Sequence, residues 1–350
     1  MLVRISGFIF VLTLLSGCAT LSYYSHIMNG HLDLMSGQQP INEIISNKDT
    51  SQALQEKLKR VLEIRKFAVT ELGLPDNDSY THFVKLDRPY PVWNVVAAEK
   101  FSVEPKKWCF LIVGCISYRG YFNEQQANEK AEELKAAGYD VYVSGAAAYS
   151  TLGWFDDPVL SSMLYNEEAH LAGIIFHELA HQLIYIDDDS AFNEAFATAL
   201  ELEGVRRWLQ KQGDAESIKR YRTYKNRQAD FNQLLRSTQT KLKTLYAEKH
   251  DQKTMSDKKQ GIIKSMHVDY QQLKQKWQGY KGYDRWMSKE INNARLALVA
   301  TYYDLVPAFE RMLQKQNFVL ESFYQEVRKI GELEKKIRNN QLHAALGREL

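Results

Sequence analysis

The chain has 350 residues, of which 45% are hydrophobic and 25% charged, an ordinary globular composition with room for one large domain or two modest ones. Its net charge of +2 hides an asymmetry: residues 1–204 carry 15 Lys and Arg against 27 Asp and Glu, and residues 205–350 carry 30 against 16. An acidic N-terminal part and a basic C-terminal part suggest two units with different surfaces, which either attract each other or let the basic part meet an anionic partner. The sequence holds no internal repeat and no low-complexity tract.

The first residues read as a targeting segment rather than as fold. Arg4 gives a positive start, and Ile5 to Leu15 is an apolar stretch of 11 residues, too short to span a bilayer as a mature helix. Leu15-Ser16-Gly17-Cys18 follows and resembles the lipobox of bacterial lipoproteins, in which the cysteine is lipidated and becomes the mature N-terminus. Within that family, Ala19 rather than an aspartate after the cysteine implies sorting to the outer membrane, facing the periplasm. With Cys18 taken by lipid, Cys109 and Cys115 are left as an even pair in an oxidising compartment, and a disulfide closing a small loop is expected. The alternative, a redox or metal pair, lacks Cys-x-x-Cys spacing. Export also argues against a nucleic-acid role for the many lysines.

Apolar positions at helical spacing predict a helix over Thr50 to Leu72, ended by Gly73, Leu74 and Pro75. Val92 to Val96 reads as a strand. Trp108 to Phe122 reads as a strand or hairpin closed by the cysteine pair. Asn123 and Gln126 fit a capping box for a helix running to Ala137, with Gly138 after it. Tyr139 to Ser144 alternates as a strand, and such an edge strand before a metal helix is suited to pair with a peptide backbone. Asp157-Pro158 carries the signature of a helix start. Helices are expected over about Asn166 to Ile184 and, capped by Ser190, over Ala191 to Gln212. The remaining Lys, Gln and Glu-rich sequence reads as two or three long helices in an antiparallel hairpin. Breaks are expected near Asp251–Asp257 and Gly279–Tyr283, and a kink at Pro307.

The chemistry lies in His177-Glu178-Leu179-Ala180-His181. It sits in an apolar run that reads as a buried helix, where residues four apart share a face, so His177 and His181 can present nitrogens to one metal ion. Uncompensated, two histidines and a carboxylate are costly in such a helix, and a coordinated zinc removes that cost. Catalytic zinc takes three protein ligands and leaves one position for water. If the two helices form an antiparallel hairpin, His181 and Glu194 both stand roughly 5 Å above the turn and His177 roughly 10 Å, whereas Glu201 stands roughly 15 Å above it and misses the metal level. Glu194 is therefore the favoured third ligand, with Asp187 or Asp189 as alternatives. Glu178 is placed to take a proton from the attacking water and give it to the leaving amine. Tyr149, Tyr165 and Tyr185 are candidate donors to the oxyanion. Glu167 or Glu168 offers an acid for a peptide's amino end. His170 reads as an ordinary exposed histidine.

The run from Leu15 to Trp208 resembles a family of bacterial lipoproteins described as predicted zinc aminopeptidases. It also resembles the gluzincin group broadly. The resemblance is carried by Leu72-Gly73-Leu74-Pro75, Val92-Trp93-Asn94-Val95, Trp108-Cys109-Phe110 with Gly114-Cys115, Tyr149 through Pro158, the metal motif and Asn193-Glu194-Ala195-Phe196-Ala197. It implies His177, His181 and Glu194 as zinc ligands and Glu178 as the catalytic carboxylate. The twelve residues between His181 and Glu194 are fewer than in the best-known gluzincins. Together these readings predict an α+β protein: a signal peptide over 1–18, a zincin-like catalytic domain with a small sheet over 19–212, and a basic helical region over 213–350. The expected activity is zinc-dependent peptide-bond hydrolysis, most simply by an aminopeptidase of the Gram-negative envelope held to the membrane through Cys18. The helical region is then available for an envelope partner. An envelope endopeptidase, or a non-catalytic lipoprotein scaffold stabilised by zinc, is the alternative.

Overall fold

The computed structural model describes residues 22–110, 114–151, 153–165, 167–300 and 305–345, so the lipobox and Cys18 lie outside the described residues. The protein is α+β, mostly helical with small sheets. Helix α1 (22–36) leads into strand β1 (Gln39–Pro40), helix α2 (Ile41–Ser46) and helix α3 (Gln52–Leu72). Ser51 caps α3 by accepting from the Leu54 amide, and Gly73 ends it at φ 65°. Strands β2 (His82–Val84) and β3 (Val92–Ala98) follow. A short hairpin of β4 (Trp108–Phe110) and β5 (Gly114–Ile116) then leads to β6 (Arg119–Tyr121), helix α4 (Glu124–Ala136) and strand β7 (Asp140–Ala146).

Cys109 and Cys115 form the expected disulfide across the β4–β5 hairpin. Asn123 caps α4 by accepting from the Gln126 amide. Strand β3 is the middle of the main sheet, flanked antiparallel by β6 and β7, with β7 an edge. Trp93, Val95 and Ala97 of β3 pack on Ala127, Ala131 and Leu134 of α4.

No helix starts at Asp157-Pro158. The Asp157 carboxylate is turned back to clasp its own loop, accepting from the Thr151 amide at 3.0 Å, Thr151 Oγ1 at 2.8 Å and Ser150 Oγ at 3.1 Å. With that acceptor occupied it cannot cap, and Val159–Leu160 instead forms strand β8, parallel to β2.

The metal-motif helix is α5 (Glu168–Leu183), and α6 (Ser190–Lys211) follows it. Asp189, not Ser190, caps α6, accepting from the Phe192 amide. Helix α5 is apolar on most sides because it lies in the middle of the main core, between α3 and α6, where Phe67, Phe176 and Trp208 meet. Helices α5 and α6 cross closely at Gly204. A Cβ there would meet Phe176 at 2.7 Å and Leu72 at 2.8 Å.

Helices α7 (Ala215–Ala247) and α8 (Gln252–Lys276) form the predicted antiparallel hairpin, with ion pairs 241–269 and 230–276 across it. Its own core holds Phe231, Leu235, Leu242, Ile263, Met266 and Tyr270. The first break falls at 248–251, slightly earlier than expected, because Asp251 caps α8. After α9 (Asp284–Met287) and α10 (Asn293–Ala300), three helices return to the main core: α11 (Val306–Lys315), α12 (Leu320–Gly331) and α13 (Lys335–Ala345). Pro307 does not kink a helix. It lies in the first turn of α11, where its missing N–H costs nothing. Phe309 and Phe323 pack against Phe196 of α6, and the Tyr324 hydroxyl donates to the Leu72 carbonyl at the end of α3.

Candidate active site

His177 and His181 stand one turn apart on α5, ring centroids 4.9 Å apart, both facing α6. Glu194 reaches them from α6: its Oε2 is 3.3 Å from His177 Nε2 and its Oε1 is 3.7 Å from His181 Nε2. One ligand atom from each of the three lies within 4.8 Å of the others. The tight α5–α6 turn makes this convergence possible. Asn193 braces it by accepting from the Ile186 amide and donating to the Ile186 carbonyl, both at 2.8 Å. Asp189 is buried at the base of α6 and held by Arg338 of α13 at 2.7 Å, while Asp187 is exposed. Neither joins the cluster of His177, His181 and Glu194.

Two imidazoles and a carboxylate make a donor set suited to a zinc-type cation. Carboxylates converge on the two rings and draw positive charge to the cluster, here a proton on His177. Burial disfavours charge on His177, but Glu194 and Glu201 flank its ring and outweigh burial, holding its pKa up to about 10. His181 is pushed down to about 4 by burial and by the neighbouring His177, so it offers a neutral imidazole. The Glu194 carboxyl, despite burial, is held low by His177. The buried Nδ1 of His181 has no hydrogen-bond partner among the described residues.

Glu178 is half-buried beside the cluster. Burial first, and the charge of Glu194 after it, push its pKa up to about 7, against the pull of His177 and of a hydrogen bond from Ser150. Ser150 belongs to the loop clasped by Asp157, so that clasp also sets the surroundings of Glu178. Tyr80 lies close by. Its buried hydroxyl has no partner among the described residues, and burial together with the charges of Glu178 and Asp157 holds its pKa well above the ordinary value.

Glu201 stands too high on α6 to join Glu194, as the height argument expects, yet its side chain reaches back. Its Oε2 lies 3.4 Å from His177 Nδ1, and its Oε1 accepts from Lys225 Nζ at 2.7 Å and from the Tyr221 hydroxyl at 3.4 Å. Lys225 draws the Glu201 pKa down to about 2 against burial. A carboxylate behind a ligating histidine fixes the ring's orientation and strengthens it as a donor. From the sequence, Glu201 reads as either a solvated face or a group behind a ligand; its partners Lys225 and Tyr221 come from α7, too far along the chain for spacing to reveal.

The tyrosine candidates separate. Tyr165 is 84% exposed. Tyr149 places its hydroxyl 3.1 Å from His31 Nδ1. Tyr185 remains near, its ring 6.3 Å from that of His181. A fourth, Tyr118, was not singled out by the sequence. It lies between β5 and β6, and burial, followed by the charges of Glu194, Tyr185 and Glu178, pushes its phenol up to about 12. Its hairpin rests on the α5–α6 turn, since a Cβ on Gly114 (φ 68°) would meet Asp188 Oδ1 at 2.7 Å. Only glycine permits that approach. Glu168 is not free for a substrate amine: it accepts from Trp208 Nε1 at 2.9 Å and pairs with Arg60 at 3.2 Å, at the far end of α5. His170 is half-buried against Tyr224, ring centroids 4.4 Å apart, rather than exposed.

A family model described as "Putative aminopeptidase" matches residues 22–342, which places the chain among peptidase-like hydrolases. The chain belongs to that family. No curated protein and no solved structure matches it.

Proposed function

We propose that this protein is a zinc metallopeptidase with a zincin-like core, acting as an aminopeptidase and held by lipid on Cys18 to the periplasmic face of the outer membrane. The observation that carries the catalytic reading is the meeting of His177, His181 and Glu194 from two helices, with the half-buried carboxyl of Glu178 beside them. His177, His181 and Glu194 would hold the ion. Zinc bound there supplies Lewis acidity, acidifying a water and polarising a substrate carbonyl.

The chain's own groups do the rest. Glu178, poised near neutrality, accepts the proton of the attacking water and passes it to the leaving amine. Glu201 and Lys225 keep the His177 ring oriented. Tyr118 and Tyr185 border the site with phenols that stay protonated at neutral pH and can donate to the oxygen that gains charge. Strand β7, an edge of its sheet, leads through Tyr149 to Ser150 beside Glu178 and offers a backbone ladder to an extended peptide. The aminopeptidase mode follows the family description.

The test is digestion of peptide libraries with free and N-blocked ends by the zinc-loaded full chain. Removal of residues from free N-termini alone is the expected result. Equal cutting of blocked peptides would identify an endopeptidase, and no cutting of either would leave a scaffold. Glu178→Gln should keep its zinc and lose turnover by roughly 10²–10⁴-fold; unchanged turnover would reject the role given to Glu178.

A further inference from the structure

Outside the active site, four large apolar side chains stand in solvent on one side of the molecule. Helix α1 exposes Met28 and Leu32, each at 56%, and the loop after β7 exposes Trp154 at 75% and Phe155 at 53%. They form one face. The Phe155 ring lies 4.7 Å from the ring of His31, and Gln38, just past α1, donates to the Asp156 carbonyl at 3.3 Å. At about 100° per residue, Met28 and Leu32 lie roughly 60° and 100° round α1 from His31, on the same side of the helix.

This face has the composition of a membrane interface: an aromatic pair at a loop tip beside an aliphatic helix face. Neither residues 22–38 nor 149–158 contain a lysine or arginine, so attraction to anionic headgroups is not what this face offers. The chain outside the described residues argues for the occupant. Only residues 19–21 separate Cys18 from the start of α1, a reach of at most about 14 Å, and Met28 stands about 9 Å further along the helix. A lipid on Cys18 therefore brings α1 to the bilayer surface.

We propose that Met28, Leu32, Trp154 and Phe155 are the face on which the protein lies against the lipid bilayer that holds Cys18. The consequence for the site is direct. The loop that dips Trp154 and Phe155 into the lipid is the one whose other end, Ser150, hydrogen-bonds Glu178, and its Gly153 packs on Gln182 of the metal helix. The proposal rests on the reading that Cys18 is lipidated.

Trp154 is the one exposed tryptophan among the six, which supplies the readout. With Cys109 and Cys115 bonded, the thiol of Cys18 in the mature chain can be coupled to a maleimide-headgroup lipid in zwitterionic phosphatidylcholine vesicles carrying brominated acyl chains. Tryptophan emission should be quenched, and the quenching should vanish in Trp154→Phe and fall at least about twofold in the Met28→Ser, Leu32→Ser double variant. It should persist at high salt. Equal emission from wild type and Trp154→Phe, or quenching abolished by salt, would overturn this face and leave the lipid anchor untouched. An unmodified Cys18, by mass measurement of the protein from its native membrane fraction, would overturn the anchor and this proposal with it.

Discussion

The protein contains two antiparallel helix pairs, and they use polar residues in opposite ways. In α5–α6 the surroundings are apolar, and the polar groups converge on one cluster: His177, His181 and Glu194, with Glu201 reaching in from higher on α6. In α7–α8 the polar groups are spread along the outside, in pairs such as Lys241–Asp269 and Lys276–Asp230, over a core of Phe231, Leu235 and Tyr270. A polar group in the first pair must earn its desolvation through a bond or a cation. In the second most need only water, Lys225 on Glu201 and the buried Lys259 on Asp140 excepted. That is why histidines in α5 carry functional information and lysines in α8 carry little.

The comparison can be broken by experiment. The largest effect should come from His181→Ala, which removes a donor: zinc affinity should fall by more than the roughly 10–100-fold typical of an outer partner, while Asp187→Ala leaves it unchanged, by metal analysis after dialysis. Phe231→Ala, in the other pair, should cost about 3–5 kcal/mol of stability in denaturant melts and leave zinc binding and kcat as they were; loss of zinc would show that the two pairs act as one. Glu201→Gln should weaken zinc by roughly 10–100-fold with little change in melting. The smallest effect concerns pH. Burial raises the Glu203 carboxyl, but Arg206 and Arg207 outweigh it and hold it below its ordinary value of 4.5. A depressed carboxyl stabilises the fold fully above that value, and the contribution is lost as pH falls through the depressed value. Wild type should thus exceed Glu203→Gln by about 1–2 kcal/mol at neutral pH, less than a fully buried pair because Arg206 reaches solvent, and the gap should close below pH 4.5.

Much of this was legible in the sequence where local rules decide. The spacing of apolar residues places α3, α5 and α6, and Asn123 and Gly73 mark helix ends, because caps and periodicity act within a few residues. The two histidines share a helix and needed no tertiary knowledge. Glu194 needed only the assumption of a tight hairpin and a rise per residue. What failed were local signatures overruled from elsewhere in the chain: Asp157 spends its carboxylate on Thr151 and Ser150 instead of capping, and Pro307 starts a helix rather than bending one. What was invisible came from distant segments: Lys225 behind Glu201, Tyr118 just past the disulfide hairpin, and Arg338 on Asp189.

The Arg338–Asp189 pair ties the site to a distant part of the chain. The guanidinium that steadies the start of α6 comes from α13, 149 residues further along the sequence, and it grips Asp189 where both are almost wholly shielded from water. A nascent or clipped chain without that helix leaves the base of the Glu194 helix with a bare buried charge. A cut ahead of α13 should therefore loosen the helix that carries Glu194 without removing any residue of the His177–His181–Glu194 cluster.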